Sequence, residues 1–241
     1  MTLQSRVTLP LGSRYSGAMV EKALLAWSSG KDSAWALHVL RQRAEVEVVG
    51  LLTTVNQQHG RVAMHAVRQE LLRAQAKAAG LPLHEVQIPQ PCSNEQYEAA
   101  MAAAVRDAVA RGVTVMAFGD LYLEDVRAYR CQKLQGSGIR PIFPLWGEPT
   151  AGLARQMIAG GLRARLTCVD PRKLPAELAG RDYDESLLAA LPPGVDPCGE
   201  NGEFHSFAYA GPMFDLPLAI RSGEVVERDG FVFADLLPGS P

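Results

Sequence analysis

Ala23-Leu24-Leu25-Ala26-Trp27-Ser28-Ser29-Gly30-Lys31-Asp32-Ser33-Ala34-Trp35-Ala36-Leu37-His38-Val39-Leu40 is the stretch whose reading decides the fold. Ala23 to Trp27 read as a buried strand, and Ala34, Leu37, Val39 and Leu40 recur roughly as one face of a helix. Between them, Ser28-Ser29-Gly30 lets the backbone come close to a ligand, and the amides opening the next helix point outward without partners inside it. Those amides and the positive helix end favour an anion, and Lys31 adds a mobile cation. The turn therefore reads as a phosphate site. It is not the common phosphate loop: G-x-x-x-x-G-K-[ST] would need Gly where Leu25 stands, and Asp32 follows Lys31. Gly12 to Gly17 have the glycine spacing but run on into Ala18 and Met19. Ordinary strand-to-helix punctuation is the plainer alternative.

Downstream, Val46 to Val55 is β-branched and apolar enough for a buried parallel strand. The pattern predicts a helix over Ala63 to Ala79 closed by Gly80, and a strand over Leu83 to Ile88. Ser93 then caps a helix, with Gln96 in the capping-box place, that runs to Arg111 and stops at Gly112. Val113 to Phe118 is a further strand ending in Gly119-Asp120. Strands and helices alternating with short joints mean a parallel sheet, with ligands beyond the carboxyl ends of its strands. Asp120 falls on that edge, where a metal or ribose ligand is useful; a helix N-cap is its other reading. Glu124 to Gln135 and Thr150 to Ala159 read as helices. Ile139 to Trp146 is extended, with two prolines that forbid a regular central strand, and Leu162 to Asp170 is strand-like. Phe204 to Tyr209 is a strand, and Leu218 to Phe233 is expected to be a hairpin turning near Arg221-Ser222-Gly223, with a second turn at Asp229-Gly230.

The expected fold class is α/β: a parallel Rossmann-like (HUP-type) sheet with helices on both faces and a smaller C-terminal α+β lobe. The expected division is a disordered extension over 1–20, a nucleotide-binding domain over 21–135 and a substrate-binding lobe over 136–241. Of the 241 residues, 47% are apolar and 21% charged, and the net charge is −2, which gives no overall basic excess for holding nucleic acid. Cys92, Cys131, Cys168 and Cys198 form no C-x-x-C pair, which argues against a zinc ribbon and suits a reducing cytoplasm. No apolar run approaches the ~18 residues of a membrane span.

The second informative stretch is Pro197-Cys198-Gly199-Glu200-Asn201-Gly202-Glu203-Phe204-His205-Ser206-Phe207, which packs two carboxylates, a carboxamide and an imidazole into one glycine-broken loop. A buried acidic cluster costs several kcal/mol unless metal, cation or protons offset it. A solvated loop is the alternative.

Residues Ser28–Ser33 resemble the S-G-G-x-D-S loop of the PP-loop ATP pyrophosphatases, with Ser29 at the position of the first glycine. Four segments together resemble the diphthine–ammonia ligase family within that superfamily: Ser28–Ser33, Gly119–Arg127, Pro141–Trp146 and Cys198–Ser206. The family usually has Thr where Ser206 stands. The resemblance implies an adenine nucleotide α-hydrolase sheet carrying ATP, adenylation of an acceptor carboxylate with release of pyrophosphate, and displacement of AMP by ammonia to leave an amide. In those terms Ser28, Ser29, Gly30 and Ser33 hold the phosphates, Lys31 neutralises developing charge, and Asp32 or Asp120 holds Mg²⁺. Glu124 and Arg127 join Glu200, Asn201, Gly202, Glu203 and His205 in holding the substrate, with Glu203 and His205 favoured for proton transfer. The implied partners are ATP, ammonium and either a protein acceptor (an elongation factor) or a small carboxylate, with no membrane or stable nucleic acid; the 218–233 hairpin would suit a homodimer. A non-catalytic nucleotide sensor and a tRNA-modifying PP-loop enzyme are the rival readings.

Overall fold

The computed structural model describes residues 20–56, 61–62 and 67–239. The early glycines and Met19 lie outside these. The first sheet comprises β1 (Glu21–Ala26), β2 (Val46–Asn56), β3 (Arg61–Val62), β4 (Leu83–Ile88), β5 (Val113–Ala117) and β6 (Arg140–Ile142). Five of these run parallel in the spatial order β4-β2-β1-β5-β6, and the short β3 pairs antiparallel with the end of β2. Strand β2 pairs with β1 through Val46–Leu52 and, on its other edge, with β4 through Leu51–Asn56, so its last residues run past β1 and take up β3 there. Strand order reverses between β1 and β5. Their carboxyl ends therefore diverge and leave a crevice.

Period-two alternation assigns the two faces of the sheet. Ala23, Leu25, Trp27, Leu51, Val55, Val115 and Ala117 face α1 (Lys31–Arg43) and α2 (Gln69–Ala78), whereas Leu24, Leu52, Met116 and Phe118 face α3 (Asn94–Ala110) and α4 (Glu124–Leu134). The α1–α2 side is also where the rest of the chain packs. There α5 (Thr150–Ala159), β7 (Arg163–Val169), α6 (Glu185–Ala190), β8 (Phe204–Ala210), β9 (Ile220–Arg228) and β10 (Phe231–Pro238) follow, with a 3₁₀ turn at Ala176–Leu178. The four late strands form an antiparallel sheet in the order β8-β7-β10-β9. One buried cluster runs from Ala23 and Leu37 through Leu153 and Tyr183 to Phe207 and Leu236, so both sheets share a core.

The capping box at Ser93 is present in full, with the Ser93 hydroxyl accepting from the Gln96 amide and the Gln96 side chain accepting from the Ser93 amide. Three expectations change. Helix α2 starts at Gln69 and not at Ala63: Arg68 is extended, and residues 63–66 lie outside the described set. Residues 139–146 are not extended throughout: the edge strand β6, which tolerates Pro141, is followed by a turn from Pro144 to Trp146. The late hairpin has one turn, not two. Asp229 and Gly230 both take positive φ (54° and 76°), as a two-residue hairpin turn requires, while Arg221-Ser222-Gly223 lies inside β9. Gly223 sits opposite an irregularity between Ala234 and Leu236, where a Cβ would come within 3.0 Å of the Asp235 Cβ. That glycine marks a close backbone approach and not a turn.

Candidate active site

The loop after β1 and the segment before β8 meet. A cavity of about 340 Å³ at the carboxyl ends of β1, β2 and β5 is walled on one side by Ser28, Gly30, Lys31, Asp32 and Ser33. Gly199, Glu200, Gly202, His205 and Ser206 form the opposing wall, and Gly119, Asp120 and Arg130 close the third side. Apolar surface from Leu52, Met101, Met116 and Phe118 lines the depth beyond the phosphate loop.

Several bonds fix the phosphate loop. Gly30 is the N-cap of α1 and has no side-chain cap, so the first amides of the helix depend on neighbours. The Lys31 amide donates to the Ser206 hydroxyl at 3.2 Å, across 175 residues of sequence. The Ser28 and Ser33 hydroxyls lie 3.2 Å apart on the cavity wall. Gly119 packs closely on the start of α1: a Cβ there would stand 3.0 Å from the Ser33 amide nitrogen. Ser29, at the resemblance's glycine position, is held at φ 69°, its carbonyl accepts from the Ala208 amide at 3.0 Å, and its hydroxyl is buried without a partner. A left-handed conformation costs a non-glycine residue about 1–2 kcal/mol. Ser29→Gly is therefore expected to leave the fold intact and raise stability by up to about 1 kcal/mol, read as a higher melting temperature. A fall in melting temperature would contradict the strain.

Lys31 is not the mobile cation its position in the loop suggests. Its ammonium is buried, 2.8 Å from Asp32 Oδ2, donates to the Cys198 carbonyl, and lies 5.3 Å and 5.5 Å from the Phe204 and Tyr183 ring centres. Burial opposes the charge, but Asp32 and Glu200 outweigh it and hold the pKa above that of an ordinary lysine. Lys31 thus fastens the phosphate loop to the late segment. Burial also raises the Asp32 carboxyl, with Lys31 opposing, and Asp32 Oδ1 is buried without a hydrogen-bond partner.

The acidic residues divide into two roles. Glu200 lines the cavity and accepts from the Leu121 amide at 2.7 Å; burial pushes its carboxyl up to about 7, against that hydrogen bond, with Asp32 adding to the rise. Glu203 is almost fully buried and does not line the cavity. Its Oε1 accepts from the Asp196 amide at 3.2 Å and from Asn201 Nδ2 at 3.1 Å, while its Oε2 has no partner. Asn201 likewise lies outside the lining, its carbonyl accepting from Lys173 Nζ at 2.6 Å. His205 does line the cavity, and burial beside Lys31 drives its pKa down to about 4, so the imidazole is neutral near pH 7.

Asp120 is not a helix cap: α4 begins at Glu124 with Leu123 as N-cap, and the Asp120 carboxylate faces Arg130 Nε at 3.3 Å. Glu124 is exposed, and Arg127 stacks 4.6 Å over Trp146 and 5.5 Å over Phe143; neither lines the cavity. The contact does join two of the matched segments. Asp32 and Asp120 both line the cavity, one paired with Lys31 and the other with Arg130, and among the described residues no group of three or more His, Cys, Asp or Glu side chains gathers as a metal site. Mg²⁺ usually takes one or two carboxylates and completes its shell with phosphate oxygens and water, and these two are the carboxylates that would hold it beside the phosphate loop.

Some residues that position the site escaped the sequence reading. Asp196, buried, accepts from the Glu200 amide at 2.9 Å and fixes the late loop. Arg130 is, with Lys31, one of two basic side chains in the cavity lining. Gln75 accepts from Trp27 Nε1 at 2.9 Å and donates to the Ser29 and Ala208 carbonyls at 2.9 Å and 2.6 Å, tying α2, the phosphate loop and β8 together. Its signal was legible, since it occupies the buried face of α2 between Leu72 and Ala76, where periodicity calls for an apolar residue. Gln75→Met keeps the volume and strands buried polar groups. A loss of about 2–4 kcal/mol is expected, with weaker nucleotide binding by titration calorimetry; an unchanged melting temperature would remove Gln75 from this role.

A parallel Rossmann-like sheet with a crevice at its switch point defines a doubly wound α/β protein, a class whose ligands lie in that crevice. The diphthamide synthase N-terminal domain family matches residues 21–141, half of the chain, and the chain belongs to that family. It is 31% identical over 109 residues to a human protein named diphthine–ammonia ligase, covering 43% of this chain and 40% of the human one. It is 30% identical over 133 residues to the Danio rerio protein of that name, covering 53% and 49%. The match thus spans less than half the length of either relative. Among the described residues no helix is long and apolar enough to cross a membrane.

Proposed function

We propose that this protein is an ATP-dependent ligase that adenylates an acceptor carboxylate, releases pyrophosphate, and forms an amide with ammonia; the name of its relatives, diphthine–ammonia ligase, supports ligation with ammonia. The observation that carries this reading is the meeting of the Ser28–Ser33 loop and the Cys198–Ser206 segment across one cavity. A carboxylate is a poor electrophile because its oxygen leaves badly, and AMP supplies the better leaving group. A carboxylate oxygen attacks the α-phosphorus, the bond to the bridging oxygen breaks, and charge gathers on pyrophosphate. Donors must be aimed there in advance. The Ser28 and Ser33 hydroxyls, the opening amides of α1 and the nearby Lys31 charge fill that role, and Ser29 and Gly30 shape the backbone beneath it. Mg²⁺, held by Asp32 and Asp120, would neutralise the phosphate oxygens when bound.

Ammonia then attacks the acyl carbon, AMP leaves with the bonding electron pair, and a base takes the proton lost from nitrogen. Glu200 is the residue for that proton: a cavity carboxyl titrating near 7 is matched to a base working near neutral pH. Neutral His205 can donate or accept a hydrogen bond beside it. Glu203 supports the loop from below.

The test is pyrophosphate release. With ATP, a carboxylic acid and ammonium, release is expected to continue over many turnovers, with amide and AMP as the other products. A nucleotide sensor would bind ATP and release nothing, and stimulation by RNA alone would favour the tRNA-modifying alternative.

A further inference from the structure

A second cavity, of about 510 Å³, opens between α3 and α4. It shares Tyr97, Met101, Met116, Phe118 and Arg130 with the first, so the two adjoin at the end of β5. Its far walls are Ala102, Val105 and Val109 from α3 and Tyr129 and Leu134 from α4. These two helices cover their side of the sheet thinly: Val105 and Ala108 are the buried residues of α3 and Leu134 that of α4. The charged residues in this lining are Glu98, Arg106, Arg130 and Lys133. Glu98 is neutralised by Lys133 at 2.5 Å, Arg130 faces Asp120 at 3.3 Å, and exposed Arg106 makes no ion pair among the described residues. The cavity thus has an apolar body, a net positive lining, and an arginine at its junction with the phosphate cavity.

We propose that this second cavity is the acceptor pocket, and that it takes a small carboxylic acid with an aliphatic or aromatic body, the carboxylate led past Arg130 toward the α-phosphate. The substrate class rests on the ligase reading above. The volume lies in the range of small-molecule sites. The apolar walls reward a hydrophobic body, and the basic residues disfavour a cationic one. Adjacency matters most, because an acid held here has only the shared side chains between it and the phosphate cavity.

The probes are hexanoate and 3-phenylpropionate, with hexylamine and 3-phenylpropylamine as cationic controls, added to full-length protein saturated with a non-hydrolysable ATP analogue. Methyl-labelled methionine reports on Met101 and Met116 by NMR. Binding of the acids and not the amines is expected to shift these signals. Ala102→Phe, which fills the cavity, and Arg106→Glu, which reverses its charge, are each expected to weaken acid binding by about tenfold or more, with affinity for the ATP analogue within about twofold of wild type. Ala102 and Arg106 are both exposed and line only the second cavity, so both variants should fold. Acids that bind and lose affinity in both variants without supporting pyrophosphate release would uphold the pocket and overturn the ligase reading. Acid-dependent release with unchanged acid affinity in both variants would overturn the pocket and leave the ligase reading standing. Absence of acid binding, or equal binding of the amines, would overturn the pocket outright.

Discussion

Lys31→Met is expected to cost about 3–5 kcal/mol of stability and about 10²–10³ in turnover together. The stability loss follows from what the ammonium leaves behind. Asp32, half-buried, is left with no cation at 2.8 Å, and the Cys198 carbonyl loses its donor. A drop in melting temperature of roughly 10 °C follows for a chain of this size. The double variant Lys31→Met/Asp32→Asn separates the two effects. Removing both charges takes away the uncompensated carboxylate, so stability should return most of the way, since replacing a buried pair by neutral groups is often close to neutral. Turnover should not return, because the charge beside the phosphates is still missing. A single variant as stable as wild type would mean that this ammonium does not fasten the two segments. A double variant regaining activity along with stability would remove Lys31 from catalysis.

Glu200→Gln should act on chemistry and spare the fold. Glutamine keeps an oxygen for the Leu121 amide, which the carboxylate accepts at 2.7 Å, so the melting temperature should stay close to wild type. A missing general base typically costs about 10²–10⁴. The loss should fall on amide formation, while a single round of pyrophosphate release persists within a few-fold. The pH dependence gives an independent readout. The Glu200 carboxyl titrates at about 7 and must be ionised to accept a proton, so the ammonia step should quicken as pH rises through about 7. The variant should lose that limb and keep only the higher one belonging to ammonium itself. Equal loss of pyrophosphate release and amide formation, or survival of the lower limb, would rule Glu200 out as the base.

Two of the residues above show where the sequence could and could not be read. The loop from Ser28 to Ser33 was legible because strand, small-residue turn and helix follow one another within eighteen residues, and local physics settles such a unit. Its partner across the cavity was legible as a concentration of chemistry, but not as a division of labour. Glu200 and Glu203 are three residues apart on a glycine-broken loop, and no periodicity says which faces the cavity. The backbone decides: Asp196 pulls the Glu200 amide inward, and Glu203 turns back to the Asp196 amide. Lys31 was misread for a related reason. A lysine beside a phosphate loop looks free until the carbonyl of Cys198, 167 residues on, is seen to hold it. Gln75 and Arg130 act through contacts that no local pattern encodes, although a glutamine on the apolar face of α2 was a usable hint. The one-turn hairpin was missed because Gly223 reads as a turn signal, when it serves a close approach to Asp235.

The most direct test is a crystal structure of the protein with α,β-methylene-ATP and Mg²⁺. The expected result places the phosphates on Ser28, Ser33 and the opening amides of α1, the metal on Asp32 or Asp120, and the α-phosphate facing Glu200 and His205 across the same cavity. Nucleotide bound elsewhere, or phosphates lying out of hydrogen-bond reach of the Ser28–Ser33 loop, would contradict it.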